Sequence, residues 1–187
     1  PPPHDRGEIP HGMISLCIEA GLAFGTGHHE STALCLSLLS DLAHRPIRKV
    51  LDLGAGTGLL AIAAAKLWKR PVLASDIDPA AVEVTRENAR ANGAGALVRA
   101  VAADGLSHPV LAGAAPYGLI LANILAGPLA RLAPQLVAAV APGGTLILSG
   151  LLATQEATVI AFYHRLRLAA RRRQGPWSAL VLVKARR

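Results

Sequence analysis

The segment Leu51-Asp52-Leu53-Gly54-Ala55-Gly56-Thr57-Gly58 sets three glycines between a short apolar run and an Ala/Leu-rich run. Glycines at a strand-to-helix turn let the chain bend tightly. They also bring backbone N–H groups close to a ligand at the positive end of a helix. A loop that seats a pyrophosphate wants glycine at the first, third and sixth positions. Here the sixth position is Leu59, and the third glycine comes one residue early, at Gly58. Asp52, beside the loop, would repel a pyrophosphate. It suits a ligand with a cationic end, such as the amino group of S-adenosyl-L-methionine.

Three more polar positions extend the pattern. Asp76 ends the next apolar run, 22 residues after Gly54, where a carboxylate can take both hydroxyls of a ribose. Asp104-Gly105 follows the third run and Asn123 ends the fourth. Ligands of open parallel sheets bind outside the carboxyl ends of the strands. Asp52, Asp76, Asp104 and Asn123 all fall at such ends, which points to a nucleoside-type cofactor. Asn123 can align an acceptor nitrogen for an in-line displacement, a geometry that supplies much of the rate of methyl transfer. A lysine acceptor must be neutral, and desolvation in a pocket lowers its pKa. The seven histidines show no i, i+4 ligand pairing on a helix, and no metal is expected.

These residues need a scaffold of alternating strands and helices. Hydrophobic periodicity and cap signals predict helices over 29–43, 58–68, 79–92, 128–140 and 154–164. Strands are expected over 48–53, 71–76, 97–102, 117–122, 145–149, 166–172 and 177–184. Asp78 is a plausible cap before Pro79, with Gly93 past the end of that helix. Alternation argues for a parallel sheet with helices on both faces. The last two strands are joined by a short turn around Gln174-Gly175-Pro176, which only an antiparallel pair allows. The expected fold is therefore α/β, mostly parallel with one antiparallel strand. Residues 1–28 read as an extended lead-in and 29–187 as one domain.

Composition narrows the classes further. Of 187 residues, 52% are hydrophobic, which excludes a disordered chain. Cys17 and Cys35 are too few for a disulfide framework and suit a reducing, cytoplasmic setting. The most apolar stretch, 118–142, carries Asn123, Arg131 and Gln135 and two prolines, so no membrane span is expected. Charge is unevenly placed. Residues 1–105 carry 10 basic and 11 acidic side chains, a net of −1; residues 106–187 carry 9 and 1, a net of +8. The positive field comes from Arg165, Arg167, Arg171, Arg172, Arg173, Lys184, Arg186 and Arg187. It is compatible with a weak RNA contact or with an edge strand kept soluble by arginines. Aromatics, at 3%, are too sparse for base stacking.

Three motifs resemble one family closely, the PrmA-type methyltransferases that modify the eleventh protein of the large ribosomal subunit. They are the run 20–29 (Ala-Gly-Leu-Ala-Phe-Gly-Thr-Gly-His-His), the loop 51–58 with Ser75-Asp76-Ile77-Asp78-Pro79 after it, and the run 122–129 followed by 148–155. The closing run 175–182 matches as well. The resemblance implies a class I methyltransferase fold, a Rossmann-like seven-stranded sheet binding S-adenosyl-L-methionine, and transfer to lysine side chains and an N-terminal amine. Carried over by position, it implies that Gly54, Gly56 and Gly58 shape the cofactor loop and that Asp76 holds the ribose. Asp104 and Gly105 would lie near the adenine and Asn123 by the reactive methyl. Thr26, Gly27 and His28 would form part of the wall at the methionine end. The family commonly has Thr at the position of His28. It also has a separate N-terminal domain that recognises the ribosomal protein, which these residues lack; residues 1–12 resemble the linker after it. A monomer is expected.

Other readings are set apart by a sequence signal or by a simple test. Enzymes that methylate exocyclic base nitrogens often have a proline pair and an aromatic after the fourth-strand polar residue. Here Ile124-Leu125-Ala126 follow Asn123. A cofactor-binding module without activity would bind but not transfer, and a dehydrogenase would respond to NAD.

Overall fold

The computed structural model describes residues 14–18 and 30–186. Thr26, Gly27, His28 and the glycine-rich run around them lie outside the described residues.

In chain order the elements are α1 (Glu30–Asp41), β1 (Val50–Leu53), α2 (Leu59–Trp68), β2 (Val72–Asp76), α3 (Pro79–Ala91), β3 (Val98–Ala102), α4 (Pro109–Ala114), β4 (Tyr117–Asn123), α5 (Ala126–Ala139), β5 (Val140–Leu152), α6 (Glu156–Phe162), β6 (Arg167–Gln174) and β7 (Trp177–Val183). The seven strands form one sheet in the order β3-β2-β1-β4-β5-β7-β6. Pairs from β3 through β5 are parallel, and β7 runs antiparallel to both neighbours. The expected mostly parallel sheet with one antiparallel strand is what forms. That strand is inserted between β5 and β6, which leaves arginine-rich β6 at the edge. Most of β6 is exposed, and charged side chains on an edge discourage pairing with another chain.

Strand alternation divides the core between two faces. Leu119 and Leu121 of β4 pack with Val50, Ile147 and Val181 against α1, α2 and α3. Ile120 and Ala122 face the other way, with Leu146, Leu148 and Leu180, onto α5 and α6. Each fully buried leucine contributes about 2 kcal/mol. All of β1 is buried because helices cover both sides. Helix α2 is buried over Leu59–Ala65, and its alanines let it lie close to the sheet. The buried phenols are satisfied: Tyr117 Oη donates to Leu111 O and Tyr163 Oη to Leu129 O, both at 2.7 Å.

Two elements differ from the sequence expectation. Strand β5 spans 13 residues rather than the short run 145–149, because Pro142-Gly143-Gly144 does not end it. The Gly143 N–H donates to Lys184 O and the Lys184 N–H to Gly144 O, which carries the β5–β7 pairing through those residues. Helix α4 is absent from the sequence expectation. It has six residues and one buried side chain, so it leaves no periodic signal; His108 caps it through Nδ1, with Pro109 in the first turn.

The arginines of β6 are largely committed to structure. Glu156, 4% exposed, receives Arg173 Nε at 2.7 Å and Nη2 at 2.8 Å, Arg171 Nη1 at 3.2 Å and the Ser178 hydroxyl at 2.6 Å. The Arg173 hydrogen bonds, with Ser178 and the arginine charges, pull its carboxyl down to about 2 against the opposing effect of burial. Arg172 pairs with Asp41 of α1.

Candidate functional site

The carboxyl ends of β1, β2, β3 and β4 open into one cavity of about 590 Å³. Gly54 and Gly56 form part of its floor, with Asp76, Asp104, Gly105 and Asn123 around it. Six of the eight expected site residues that are described therefore line one space. Gly58 and Asp52 do not line it.

Asp52 lies under the loop, 1% exposed, and its Oδ2 accepts the Ala61 N–H at 2.8 Å. Gly58 caps α2 but has no side chain to satisfy the orphan N–H groups of the first turn. The neighbouring strand supplies that acceptor through Asp52. The carboxylate thus braces the helix that carries the loop and does not itself reach the cavity. Burial pushes the Asp52 carboxyl up to about 7; the Ala61 bond opposes this and the charge of Asp76 adds to it. Its Oδ1 has no partner among the described residues.

The loop conformation requires its glycines. Gly54 has φ +73, and a Cβ there would stand 2.2 Å from Ile124 Cγ2. Gly58 has φ +80, with Thr85 Cγ2 2.8 Å from a built Cβ. Thr85 Oγ1 in turn donates to Gly56 O at 3.0 Å, tying the loop to α3.

Asp76 is held by two backbone donors, Gly56 N–H to Oδ2 at 2.9 Å and Asp78 N–H to Oδ1 at 3.0 Å. An ionised carboxylate has about four acceptor positions, so each oxygen keeps one for a ligand hydroxyl. Ile77, next in the chain and 68% exposed, stands at the rim as an apolar flank. On the other side Asp104 accepts Arg131 Nη1 and Nη2, each at 3.1 Å, and this pair orients both side chains. Gln135 Oε1 accepts the Leu106 N–H at 3.1 Å and pins the Gly105 turn to α5.

At the tip of β4, Asn123 Nδ2 donates to Thr32 Oγ1 at 3.1 Å. Its Oδ1 is buried and has no partner among the described residues. A buried amide oxygen left unpaired costs about 1–3 kcal/mol, so a donor brought to this atom from outside the described residues is favoured. Leu125, 69% exposed, adds an apolar surface at the mouth. Sequence reasoning missed Thr32, Ile77, Leu125, Arg131 and Trp177 as lining residues. Ile77 and Leu125 could have been found as apolar residues closely following strand-end polar ones; Thr32 and Trp177 have no local signal. Cys35 is buried, and burial pushes its thiol up to about 12, so it remains an unreactive core thiol. Among the described residues no cluster of His, Cys, Asp and Glu could hold a metal ion.

A seven-stranded sheet of this order, with a glycine loop after β1 and acids at the ends of β2 and β3, defines a class I methyltransferase fold. The model of a family described as ribosomal protein L11 methyltransferase (PrmA) matches residues 3–185. The chain belongs to that family. A ribosomal protein L11 methyltransferase from Rhodopseudomonas palustris (strain BisB5) is 54% identical over 186 residues, 97% of this chain and 62% of that protein. One from Caulobacter sp. (strain K31) is 50% identical over 184 residues, 97% of this chain and 63% of that protein. The crystal structure of a ribosomal protein L11 methylase from Lactobacillus delbrueckii subsp. bulgaricus superposes with a TM-score of 0.81 at 31% identity, covering 90% of this chain and 84% of that one. The chain spans about three fifths of the length of the curated relatives it matches.

Proposed function

We propose that this chain carries the catalytic centre of an S-adenosyl-L-methionine-dependent protein N-methyltransferase. Its substrate is the ribosomal protein L11, methylated on lysine side chains and its N-terminal amine. The names of its relatives support the substrate. The observation that carries the chemistry is the pairing, in one cavity, of Asp76 with two acceptor positions left over and Asn123 with an oxygen that has no partner among the described residues.

The residues present fit the cofactor. A cavity of about 590 Å³ is within the range of small-molecule sites, roughly 300–1,000 Å³. Asp76 takes the ribose hydroxyls, Ile77 flanks the base, and Asp104 and Gly105 border it. Gly54 and Gly56 let the backbone approach the other end. When bound, S-adenosyl-L-methionine supplies a methyl group on a positively charged sulfur, ready for displacement. The chain's own contribution is placement. Asn123 Oδ1 accepts an N–H of the incoming amine and fixes its direction, while Thr32 keeps the amide from turning over. Asn123 has no basic site, so it aligns the amine and does not deprotonate it. Leu53, Ile124 and Leu125 disfavour the charged ammonium, which lowers the acceptor's pKa toward the neutral, nucleophilic form. The chain acts in the cytoplasm as a monomer.

The test is thermal unfolding with and without ligand. S-adenosyl-L-methionine at about 100 times its Kd should stabilise the chain by about 2.7 kcal/mol, whereas NAD should have no effect. Asp76→Ala should abolish the shift. A labelled methyl group should then appear on purified L11 and not on RNA. A shift with NAD, or one that survives Asp76→Ala, overturns the assignment.

A further inference from the structure

A second concavity, of about 460 Å³, lies at the opposite end of the sheet. It is lined by Arg45, His164, Arg165, Arg167, Lys184 and Arg186, and among the described residues no carboxylate side chain lines it. Segments distant in sequence bring these groups together. Arg45 sits in the turn after α1, fixed by its N–H to Leu42 O at 2.9 Å and by Trp68 Nε1 donating to Arg45 O at 3.1 Å. Arg165 sits in the turn after α6, closed by the Leu166 N–H donating to Tyr163 O at 2.8 Å, and Arg167 opens β6, so the two arginines line the concavity on either side of buried Leu166. Arg186 lies over Gly143, where a Cβ would meet its Cγ at 3.1 Å. Lys184 Nζ reaches Val137 O at 2.9 Å and Val140 O at 2.8 Å, closing the end of α5.

The structure separates these cations from the rest of the basic C-terminal region. Arg171 and Arg173 share the single negative charge of Glu156, and Arg172 pairs with Asp41. Arg45, Arg165, Arg167 and Arg186 have no ion pair among the described residues. Like charges gathered without counter-charge repel one another, and a multiply charged anion relieves that repulsion. Among the described residues the lining offers no aromatic or large exposed apolar anchor of the kind that protein interfaces use. Backbone phosphates need none; they are held by arginine and lysine alone.

We propose that this concavity is a binding site for the phosphodiester backbone of nucleic acid, read without regard to base sequence. It is separate from the methyl-transfer cavity. Thr145 and Ser149 of β5, beside the two ends, are four residues or about 13 Å of strand apart. Helix α1 spans the same interval, with Thr32 at the cavity and Arg45 just beyond its far end.

The experiment measures anisotropy of a labelled 20-nucleotide RNA, with a DNA duplex of the same length as a second arm, titrated with the full chain from 50 to 300 mM KCl. Arg165→Gln/Arg167→Gln/Arg186→Gln should weaken binding at least tenfold at 50 mM salt. It should also reduce the slope of log K against log salt by about 2, since each phosphate neutralised on a single strand adds about 0.7 to that slope. A charge-matched control, Arg70→Gln/Arg90→Gln/Arg99→Gln, removes exposed arginines elsewhere and should stay within twofold of the parent. Binding of either nucleic acid that follows this pattern supports the site, and the two arms show which one it takes. Equal losses in the two variants, no RNA or DNA binding at 50 mM salt, or complete displacement by 10 mM inorganic phosphate overturns it. The triple variant should keep its melting shift with S-adenosyl-L-methionine. A fold defect and failure of the methyltransferase reading are therefore each distinguishable from failure of this site.

Discussion

Thr32 Oγ1 accepts a hydrogen bond from Asn123 Nδ2 at 3.1 Å, joining the first helix to the tip of the fourth strand across 91 residues of sequence. One of the two N–H groups of the amide is thereby committed, and Oδ1, with no partner among the described residues, is the acceptor left for a ligand. Thr32→Val keeps the shape and removes the acceptor, so the amide can turn over. We expect kcat for methyl transfer to fall about tenfold, which corresponds to a lost hydrogen bond of about 1.4 kcal/mol. The melting shift with S-adenosyl-L-methionine should persist. Steady-state kinetics on L11 alongside thermal unfolding provide the check; equal loss of both would show that Thr32 matters only for folding.

Gly54→Ala tests the loop. A methyl group there meets Ile124 Cγ2 at 2.2 Å on a backbone with φ +73, so Ile124 must move into the cavity or the loop must shift. Strain of this kind costs about 1–3 kcal/mol. Cofactor affinity measured by calorimetry should drop by at least tenfold, with the chain still folded by circular dichroism.

Glu156 predicts an acid-sensitive edge. Its folded-state pKa, about 2, lies below the ordinary 4.5, so the folded state favours the carboxylate. The contribution is fully present above pH 4.5 and is lost as pH falls toward 2. Glu156→Gln should destabilise the chain by about 2 kcal/mol at pH 7. That is less than for a fully buried pair, since Arg171 and Arg173 are each half exposed and can be solvated. Urea unfolding at pH 7 and pH 3 should show the gap between parent and variant narrowing at the lower pH.

Asp52 predicts the opposite slope. Its carboxyl is held up at about 7 against an ordinary 3.8. Between those values the unfolded chain has released the proton and the folded chain has not, so stability falls as pH rises through that window and levels off above it. Asp52→Asn keeps an oxygen for the Ala61 N–H and removes the titration. Its unfolding free energy should be flatter than the parent's from pH 4 to 7, measured by urea titration without ligand. An unchanged slope would show that Asp52 is ionised in the fold throughout.

Much of this protein is readable from local pattern. The alternation of apolar runs, the Asp78-Pro79 start of α3 and the glycine loop each depend on residues within one or two turns of one another. The same holds for the polar residues at the ends of β2, β3 and β4, because a strand's last residue must lie at the sheet's rim. Asp76, Asp104 and Asn123 therefore reach the cavity as their spacing implies.

Tertiary packing decided what lies between elements. The pattern around residue 52 could not show that Asp52 turns under the loop to satisfy α2, because that depends on which face of β1 meets that helix. The extension of β5 through Gly143 and Gly144 rests on hydrogen bonds to Lys184, some 40 residues on. Net charge along the sequence could not separate Arg173, held by Glu156, from Arg165 and Arg186, which face the second concavity. Periodicity is a property of neighbours along the chain. Strand order, register and the packing of α1 across the sheet set which distant side chains meet, and they placed Thr32 against Asn123 and Arg45 near Arg186.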